Sequence, residues 1–253
     1  MNRVLEGKVA LVTGGTRGIG RGVAVELAKA GAAVAICGRY DAEGHEAVNM
    51  IESAGGTAMY VQADVSKSAA VDALISKIVE RFGRLDIAFN NAGVAAVFRP
   101  FHETTEADYD YTFDANVRGL YLCMKAEVLQ MMKQGAGGSV INNSSIQGHI
   151  AIATSGHYTA SKHAMEGYTK LAALDCAKAR IRVNAVSPGV LSEGRLGGGD
   201  IPQQFKDYLI AKHPIGRFGT STDVAGAVIF LASDASAFIT GASIPVDGGY
   251  MIE

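Results

Sequence analysis

The stretch Val9-Ala-Leu-Val-Thr-Gly-Gly-Thr-Arg-Gly-Ile-Gly20 decides the fold of this chain. Its first five residues are a short apolar run that ends in glycine, which is typical of a strand buried on both faces. After the glycines, Ile19, Val23 and Leu27 recur every fourth residue, and they predict a helix that ends near Gly31. A strand, a glycine loop and a helix predict a phosphate-binding turn, because glycine admits a pyrophosphate and the helix N-terminus attracts it. The spacing is not the Gly-x-Gly-x-x-Gly of dinucleotide-binding turns, so the prediction depends on the flanking strand and helix.

Apolar runs alternate with helical patterns along the rest of the chain. Strands are predicted over Val9–Thr13, Ala33–Cys37, Thr57–Gln62, Leu85–Phe89, Ser139–Asn143, Arg182–Ser187 and Ser243–Asp247. Helices are predicted over Val71–Phe82, Asp108–Met132, Ser155–Cys176, Ile201–Ala211 and Asp223–Ala232. This alternation predicts an α/β fold with a parallel sheet, right-handed crossovers, and ligands at the carboxyl ends of the strands.

The composition of the chain limits the classes of protein to which it can belong. A length of 253 residues allows one or two domains, and the sequence has no linker, repeat or low-complexity segment that would divide it. The formal charge of −2 and the hydrophobic content of 48% give no indication of a nucleic-acid partner. Cys37, Cys123 and Cys176 are far apart, so neither a disulfide framework nor a zinc or other metal site is expected. No segment has the length and apolarity of a membrane span or signal peptide. We therefore expect a soluble cytoplasmic protein of one domain over residues 1–253, without a membrane partner.

Tyr158 and Lys162 are the candidate acid/base pair. Their spacing of four places both side chains on one face of the predicted helix. A nearby ammonium stabilises a phenolate, so we expect Lys162 to lower the pKa of Tyr158 and make it a general acid/base near neutral pH. The alternative is an exposed helix in which the two residues have no shared role.

The end of the second strand bears on the nucleotide. An acid about 20 residues past the glycines would select NAD, but Gly38 and Arg39 stand there. Arg39, together with Arg17 in the glycine loop, can bind a 2′-phosphate through charge-assisted hydrogen bonds. These residues predict NADP, with NAD as the runner-up if Arg39 is only a solvated loop residue.

Three further features have two interpretations each. Asp64 can accept a bond from adenine or help to cap the following helix. Asn116 lies inside a predicted helix, where Asn is mildly unfavourable, so it has either a specific role or a bond to local backbone. The glycine-rich segment at about 190–214 is either a substrate lid or an ordinary surface loop.

These motifs together resemble the short-chain dehydrogenase/reductase family over almost the whole chain. The matching residues are Thr13-Gly-Gly-Thr-Arg-Gly-Ile-Gly20, Asp64-Val65, Asn90-Asn-Ala-Gly93, Asn116, Ser144-Ser145, Tyr158-Thr-Ala-Ser-Lys162, Pro188-Gly189 and Asp247-Gly-Gly249. The resemblance implies a single-domain Rossmann-type doubly wound sheet of seven parallel strands with helices on both faces. It also implies a nicotinamide cofactor, hydride transfer to or from a carbonyl or alcohol, and a homotetramer packed through two long helices and the C-terminal end.

The resemblance also implies residue roles. The catalytic set is Asn116, Ser145, Tyr158 and Lys162, in which Ser145 positions the substrate oxygen and Asn116 holds a water that leads to Lys162. Asp64 is expected at adenine, Asn90 near the adenine ribose, and Ser144 as a structural neighbour. The cofactor-binding set is Gly14, Thr16, Arg17, Gly18, Ile19, Gly20, Arg39, Asp64, Val65, Asn91, Ala92, Gly93, Tyr158, Lys162, Pro188 and Gly189.

One departure concerns Glu193, which stands where the family often has a Thr that contacts the nicotinamide amide. That contact then passes to Ser192 or to backbone. Ile146, Gln147, His149, Val94 and the segment at about 190–214 are expected to face the substrate, although a surface position for His149 is equally open.

The sequence therefore predicts an NADP(H)-dependent oxidoreductase acting on a small carbonyl or secondary alcohol. The alternatives are an NAD-dependent alcohol or sugar dehydrogenase of the same family, and a dinucleotide-binding sensor without catalysis. A sensor has no use for Ser145, Tyr158, Lys162 and Asn116 together.

Overall fold

A parallel sheet organises the computed structural model, which describes residues 3–95, 97–194 and 197–252. The strands are β1 Val9–Thr13, β2 Ala33–Gly38, β3 Thr57–Gln62, β4 Ile87–Asn90, β5 Gly138–Asn143, β6 Ile181–Pro188 and β7 Ser243–Val246. They pair in the order β3-β2-β1-β4-β5-β6-β7, and every pairing is parallel. The strand order reverses between β1 and β4, which is where the ligand crevice of such a sheet opens.

Helices connect the strands and cover both faces of the sheet. They are α1 Gly18–Lys29, α2 Asp41–Ser53, α3 Ser68–Phe82, α4 Glu106–Phe113, α5 Gly119–Gln134, α6 Gly156–Cys176, α7 Gln203–Ala211 and α8 Ser221–Ala232. The doubly wound α/β fold predicted from the sequence is confirmed, including its seven parallel strands.

Alternate residues of each central strand enter different cores. In β1, Ala10 and Val12 pack in the layer under α1, α2 and α8, whereas Val9 and Leu11 pack in the layer under α3, α5 and α6. All five residues of the strand are buried. This two-sided burial explains why the strand is continuously apolar in sequence, as buried parallel strands are.

Two helical predictions needed correction. The sequence patterns did not indicate α2, because only Gly44, Ala47 and Ile51 of its residues are buried and most of its other residues are polar. The single helix predicted over Asp108–Met132 is α4 and α5, joined by a π-helical turn over Asp114–Arg118. Such a turn inserts an extra residue between helical bonds and is frequent at functional sites. Asn116 lies inside it.

The segment at about 190–214 is anchored at both of its ends. Leu191 is buried and forms a parallel bridge with Gly219. The predicted short helix is α7, which begins two residues later than Ile201. Arg195 and Leu196, which belong to the predicted lid, lie outside the described residues.

Candidate active site

The crevice between β1 and β4 is closed at its base by hydrogen bonds between the two strand ends. The hydroxyl of Thr13 accepts from the backbone N–H groups of Asn91 and Ala92, both at 3.0 Å. The Asn91 amide donates in turn to the carbonyls of Thr13 and Gly14, both at 3.1 Å. The glycine turn is therefore fixed against the segment that follows β4.

The glycine turn fits a pyrophosphate. Gly14 has a φ of +62°, and a Cβ there would lie 3.0 Å from the Cα of Ala92, so a side chain is excluded on two counts. A Cβ at Gly20 would run into the Gly14 carbonyl. Helix α1 has no capping side chain and no acidic residue in its first turn, which leaves its N–H groups to an anion.

The cavity above the strand ends has a volume of about 410 Å³. Most of the predicted cofactor-binding residues line it, namely Gly14, Thr16, Arg17, Ile19, Arg39, Asp64, Val65, Asn91, Ala92, Gly93, Tyr158, Lys162, Pro188 and Gly189. Gly18 and Gly20 do not line it, so the tight packing at Gly20 gives this glycine a structural role. Val94, Ile146 and Gln147, which were expected to face the substrate, also line the cavity.

The expectation for Asn90 was wrong, and the structure decides between the two alternatives for His149. The Asn90 side chain does not line the cavity but points into the sheet, where it donates to Glu127 at 2.9 Å and to Asn142 at 3.1 Å. His149 takes the surface position that was its alternative, since it is exposed, does not line the cavity and has its Nε2 3.0 Å from Ser187 Oγ.

Two predicted guanidinium groups lie at the end of the cavity next to β2. A carboxylate that the sequence did not indicate lies beside them. Arg39 and Arg17 both line this end of the cavity. The Glu43 carboxylate, from the first turn of α2, lies 3.6 Å from Arg17 Nη1 and accepts from the Thr16 hydroxyl at 3.4 Å. Glu43 was missed because α2 itself was not predicted, so nothing in the sequence brought the residue to this end of the cavity.

Asp64 lies at the same end, and its carboxylate accepts from the backbone N–H of Ser66 at 3.0 Å and from the Ser66 hydroxyl at 2.8 Å. Burial raises the pKa of Asp64, but these hydrogen bonds outweigh it and lower the value overall. Asp64 thus shapes the turn before α3 while facing the cavity, and its contact with adenine stays a prediction.

Ser145, Tyr158 and Lys162 meet at the other end of the cavity. Lys162 is buried and donates to the carbonyl of Asn143 at 2.6 Å, and its Nζ lies 5.5 Å from the centre of the Tyr158 ring. The end of β5 and one face of α6 thus bring the three residues together, as their sequence spacing indicates.

The pKa of Tyr158 is opposite in direction to the sequence expectation. Burial raises the pKa of this phenol, and the hydrogen bond with Ser145 lowers it by less. Burial also lowers the pKa of Lys162 to about 8, while the charge of Glu166 one helical turn away acts against that decrease. Desolvation outweighs the hydrogen bond with Ser145, so the phenol holds its proton at neutral pH.

Asn116 joins the crevice to helix α6. Its Nδ2 donates to the carbonyl of Val94 and to Ser161 Oγ, both at 3.1 Å, and its Oδ1 accepts from the Val94 N–H at 2.7 Å. The side chain therefore makes the local backbone bonds that were the alternative to a specific role, and it does not line the cavity.

Glu193 lines the cavity but its carboxylate turns toward the start of α8. Oε1 accepts from the backbone N–H of Ser221 at 3.1 Å and from its hydroxyl at 3.0 Å, and Oε2 accepts from Ser192 at 2.8 Å. Burial raises the pKa of Glu193, but these bonds outweigh it and lower the value, so the group is an anion. The residue that replaces the usual Thr thus fixes the start of the predicted lid to α8.

A fully buried carboxyl group lies beneath the crevice. Glu127 is 0% exposed, and its Oε1 and the Oδ1 of Asn90 have no partner in the part of the chain that the structure describes. Burial raises the pKa of Glu127 to about 7, and the bond from Asn90 lowers it by less. The group is therefore neutral in the folded protein at mildly acidic pH.

We expect Glu127→Gln to flatten the dependence of stability on pH. Because the folded pKa lies above the unfolded value of 4.5, the folded state holds the proton more tightly, and its stability falls as pH rises from about 4.5 to 7. The loss is on the order of 2–3 kcal/mol. Urea unfolding at pH 5 and pH 8 measures it, with the exposed Glu52→Gln as the control. The same loss in the Glu127→Gln protein would contradict the assignment.

Comparison with known proteins agrees with this architecture. The family model described as Enoyl-(Acyl carrier protein) reductase matches residues 14–251. A 2,5-dichloro-2,5-cyclohexadiene-1,4-diol dehydrogenase of Sphingobium indicum is 39% identical over 247 residues, 97% of this chain and 98% of the relative. An L-rhamnose 1-dehydrogenase (NAD(P)(+)) of Sphingomonas sp. is 38% identical over 256 residues, 99% of this chain and 98% of the relative. A solved short-chain type dehydrogenase/reductase from Mycobacterium marinum is 33% identical, covers 100% of both chains and superposes with a TM-score of 0.91.

The doubly wound sheet, the glycine turn at its switch point and the Ser-Tyr-Lys cluster define an oxidoreductase that binds NAD(P). The chain belongs to the short-chain dehydrogenase/reductase family, as its motifs predicted. No helix in the described part of the chain is long and apolar enough to cross a membrane. All three cysteines are free and buried.

Proposed function

We propose that the protein is an NADP(H)-dependent oxidoreductase that transfers a hydride between the nicotinamide and a small carbonyl or secondary alcohol. The observation that carries the NADP preference is the pair Arg17 and Arg39 at the end of β2, where Gly38 leaves no carboxylate on the strand. Two guanidinium groups in one cleft attract the dianionic 2′-phosphate that distinguishes NADP from NAD.

The chain's residues divide the chemistry between them. The nicotinamide, when bound, supplies or accepts the hydride. Tyr158 donates its proton to the substrate oxygen, and the hydroxyl of Ser145 hydrogen-bonds that oxygen and orients the carbonyl. A donor aimed at a developing oxyanion is worth about 3–4 kcal/mol. Lys162 would hold the ribose of a bound nicotinamide, and its charge would stabilise the Tyr158 phenolate after proton transfer.

Proton return to Tyr158 runs through Lys162 and a water on Asn116. Both amide hydrogens of Asn116 are already used by the Val94 carbonyl and Ser161 Oγ, and the residue lies in the π-helical turn.

The raised pKa of Tyr158 favours reduction of a carbonyl over oxidation of an alcohol as the reaction of this site. A general acid must hold its proton at the working pH, and burial keeps this phenol protonated. Oxidation of an alcohol needs the phenolate instead, and is expected to gain rate as pH rises.

The runner-up is an NAD-dependent alcohol or sugar dehydrogenase of the same family. Glu43 favours it, because this carboxylate opposes a 2′-phosphate and offsets the charge of Arg17. The name of the L-rhamnose relative includes both nucleotides and a sugar.

Three further proposals concern organisation. We propose one domain with a substrate lid at about 190–214, and a cytoplasmic location consistent with free thiols.

A homotetramer is supported by exposed apolar side chains on the two long helices, namely Tyr121, Leu129 and Met132 of α5 and Leu171 and Leu174 of α6. Light scattering tests the tetramer, and a monomer in solution would contradict it.

A panel of ketones, hydroxyketones, alcohols and sugars, each run with NADPH and NADH or their oxidised forms, tests the proposed function. We expect turnover with at least one carbonyl and a higher kcat/KM with NADPH. Nucleotide binding without turnover across the panel would favour the sensor hypothesis instead.

A further inference from the structure

The side chain of Gln147 lies in the substrate end of the cavity, two residues after Ser145. It is 8% exposed and lines the cavity. Its Oε1 accepts from the hydroxyl of Thr159 at 2.7 Å. Its Nε2 donates to no residue that the structure describes. The amide therefore presents two N–H donors in an almost buried position next to the reacting centre.

Two hydrogen bonds fix Gln147 beside the catalytic residues, one made by its backbone and one by its side chain. Its backbone N–H donates to Ser145 Oγ at 3.2 Å, and Thr159, which holds its side chain, directly follows Tyr158 in α6. Because the amide oxygen is occupied by Thr159, rotation of the amide is restricted and the N–H₂ group keeps one direction. The donor therefore has a fixed position relative to the hydroxyl groups of Ser145 and Tyr158, which bind the reacting oxygen.

We propose that Gln147 Nε2 hydrogen-bonds a second substrate oxygen, on the carbon next to the reacting carbonyl. The substrate class is then an α-hydroxy ketone in reduction, or a vicinal diol in oxidation. This inference rests on the proposed function and narrows it.

A plain ketone leaves the side-chain amide N–H₂ group of Gln147 unpaired. A nearly buried donor without an acceptor loses its hydrogen bonds to water and gains none in return. A site built around such a donor therefore discriminates strongly against an analogue that lacks the matching oxygen. Val94, Phe98 and Ile152 line the same cavity and offer no replacement side-chain acceptor, since all three are apolar. The cavity thus places a directed amide donor beside apolar walls and the Ser145 and Tyr158 hydroxyls, as specific small-molecule sites do.

Matched pairs of ketones test this inference in the full-length protein. Reduction of 3-hydroxybutan-2-one is compared with that of butan-2-one, and 2-hydroxycyclohexanone with cyclohexanone, using NADPH and then NADH. We expect kcat/KM to be at least about tenfold higher for the hydroxylated member of each pair, as one added hydrogen bond of about 1.4 kcal/mol implies. In Gln147→Met the ratio should fall to about one, because the variant has no amide that one ketone pairs and the other leaves unpaired.

Two controls separate specificity from folding. Gln130→Met alters a glutamine on α5 that does not line the cavity, so the ratio should stay at the parent value. Thr159→Val removes the hydroxyl that holds the amide, and should lower the ratio only partly. Turnover of the plain ketones also reports that each variant is folded.

The outcomes distinguish this inference from the proposed function. No turnover of any ketone with either nucleotide would contradict the proposed function, and this inference with it. Turnover without preference for the hydroxylated ketones, or a preference that survives Gln147→Met, would overturn this inference alone.

Discussion

Replacing Tyr158 with Phe lowers kcat by about 10²–10⁴-fold and leaves nucleotide affinity almost unchanged, because a general acid contributes a factor of that size. The phenol lies in the cavity with Ser145 and Lys162, and burial keeps it protonated. Phe keeps the ring and its packing but removes the proton. Turnover is measured with the best substrate of the panel, and affinity by fluorescence titration with NADPH.

Tyr168→Phe is the matched control for this experiment. Tyr168 lies on the same helix, ten residues further along, and does not line the cavity. Its loss of one hydroxyl should leave kcat within about twofold of the parent, as expected for a change remote from the reacting atoms. If Tyr158→Phe retained the parent's turnover, the assignment of the acid would be wrong.

The fold could be predicted because its signals are local. Strands buried on both faces are short apolar runs, and β1 is recognisable from its sequence for that reason. Helix α2 escaped prediction because its buried face consists of two small residues and one large one, Gly44, Ala47 and Ile51. Its periodic pattern is too weak to separate it from a polar loop.

The site was only partly predictable, because its chemistry depends on burial and on contacts between distant segments. A spacing of four correctly places Tyr158 near Lys162, but it does not show that burial raises the pKa of the phenol. Asn90 and Asn91 are adjacent in sequence and point to opposite sides of the strand end, so a motif cannot tell which one faces the cavity. The roles of individual residues stay predictions.

The carboxylate at Glu43 makes cofactor preference a balance between charges rather than a property of Arg39 alone. Two salt bridges join α2 to the start of α1: Glu43 pairs with Arg17, the residue just before α1, and Glu46 pairs with Arg21 at 2.9 Å. Only the first bridge lines the cavity. The second therefore offers a control in which the same kinds of charge change between the same two helices without facing the nucleotide.

Arg39→Asp should reverse the preference for NADP. The loss of a charge-assisted bond to the 2′-phosphate, worth about 1.5–3 kcal/mol, lowers kcat/KM with NADPH by about 10–150-fold. The new carboxylate also repels that phosphate and can accept from the 2′-hydroxyl of NADH, so the NADH value should rise. Kinetics with both nucleotides measures the ratio. An unchanged ratio would remove Arg39 from phosphate recognition and favour the NAD-dependent alternative.

Glu43→Gln should act in the opposite direction to Arg39→Asp. Removing this carboxylate frees Arg17 to pair with a 2′-phosphate and takes away a repulsion, so affinity for NADPH should rise by about tenfold, the effect of one pKa unit of interaction. NADH lacks the phosphate, so its affinity should stay the same, and Glu46→Gln should change neither value. The gain should also shrink at high salt, because exposed charges are screened. A parallel gain with NADH would instead indicate that Glu43 acts on the glycine turn that both nucleotides share.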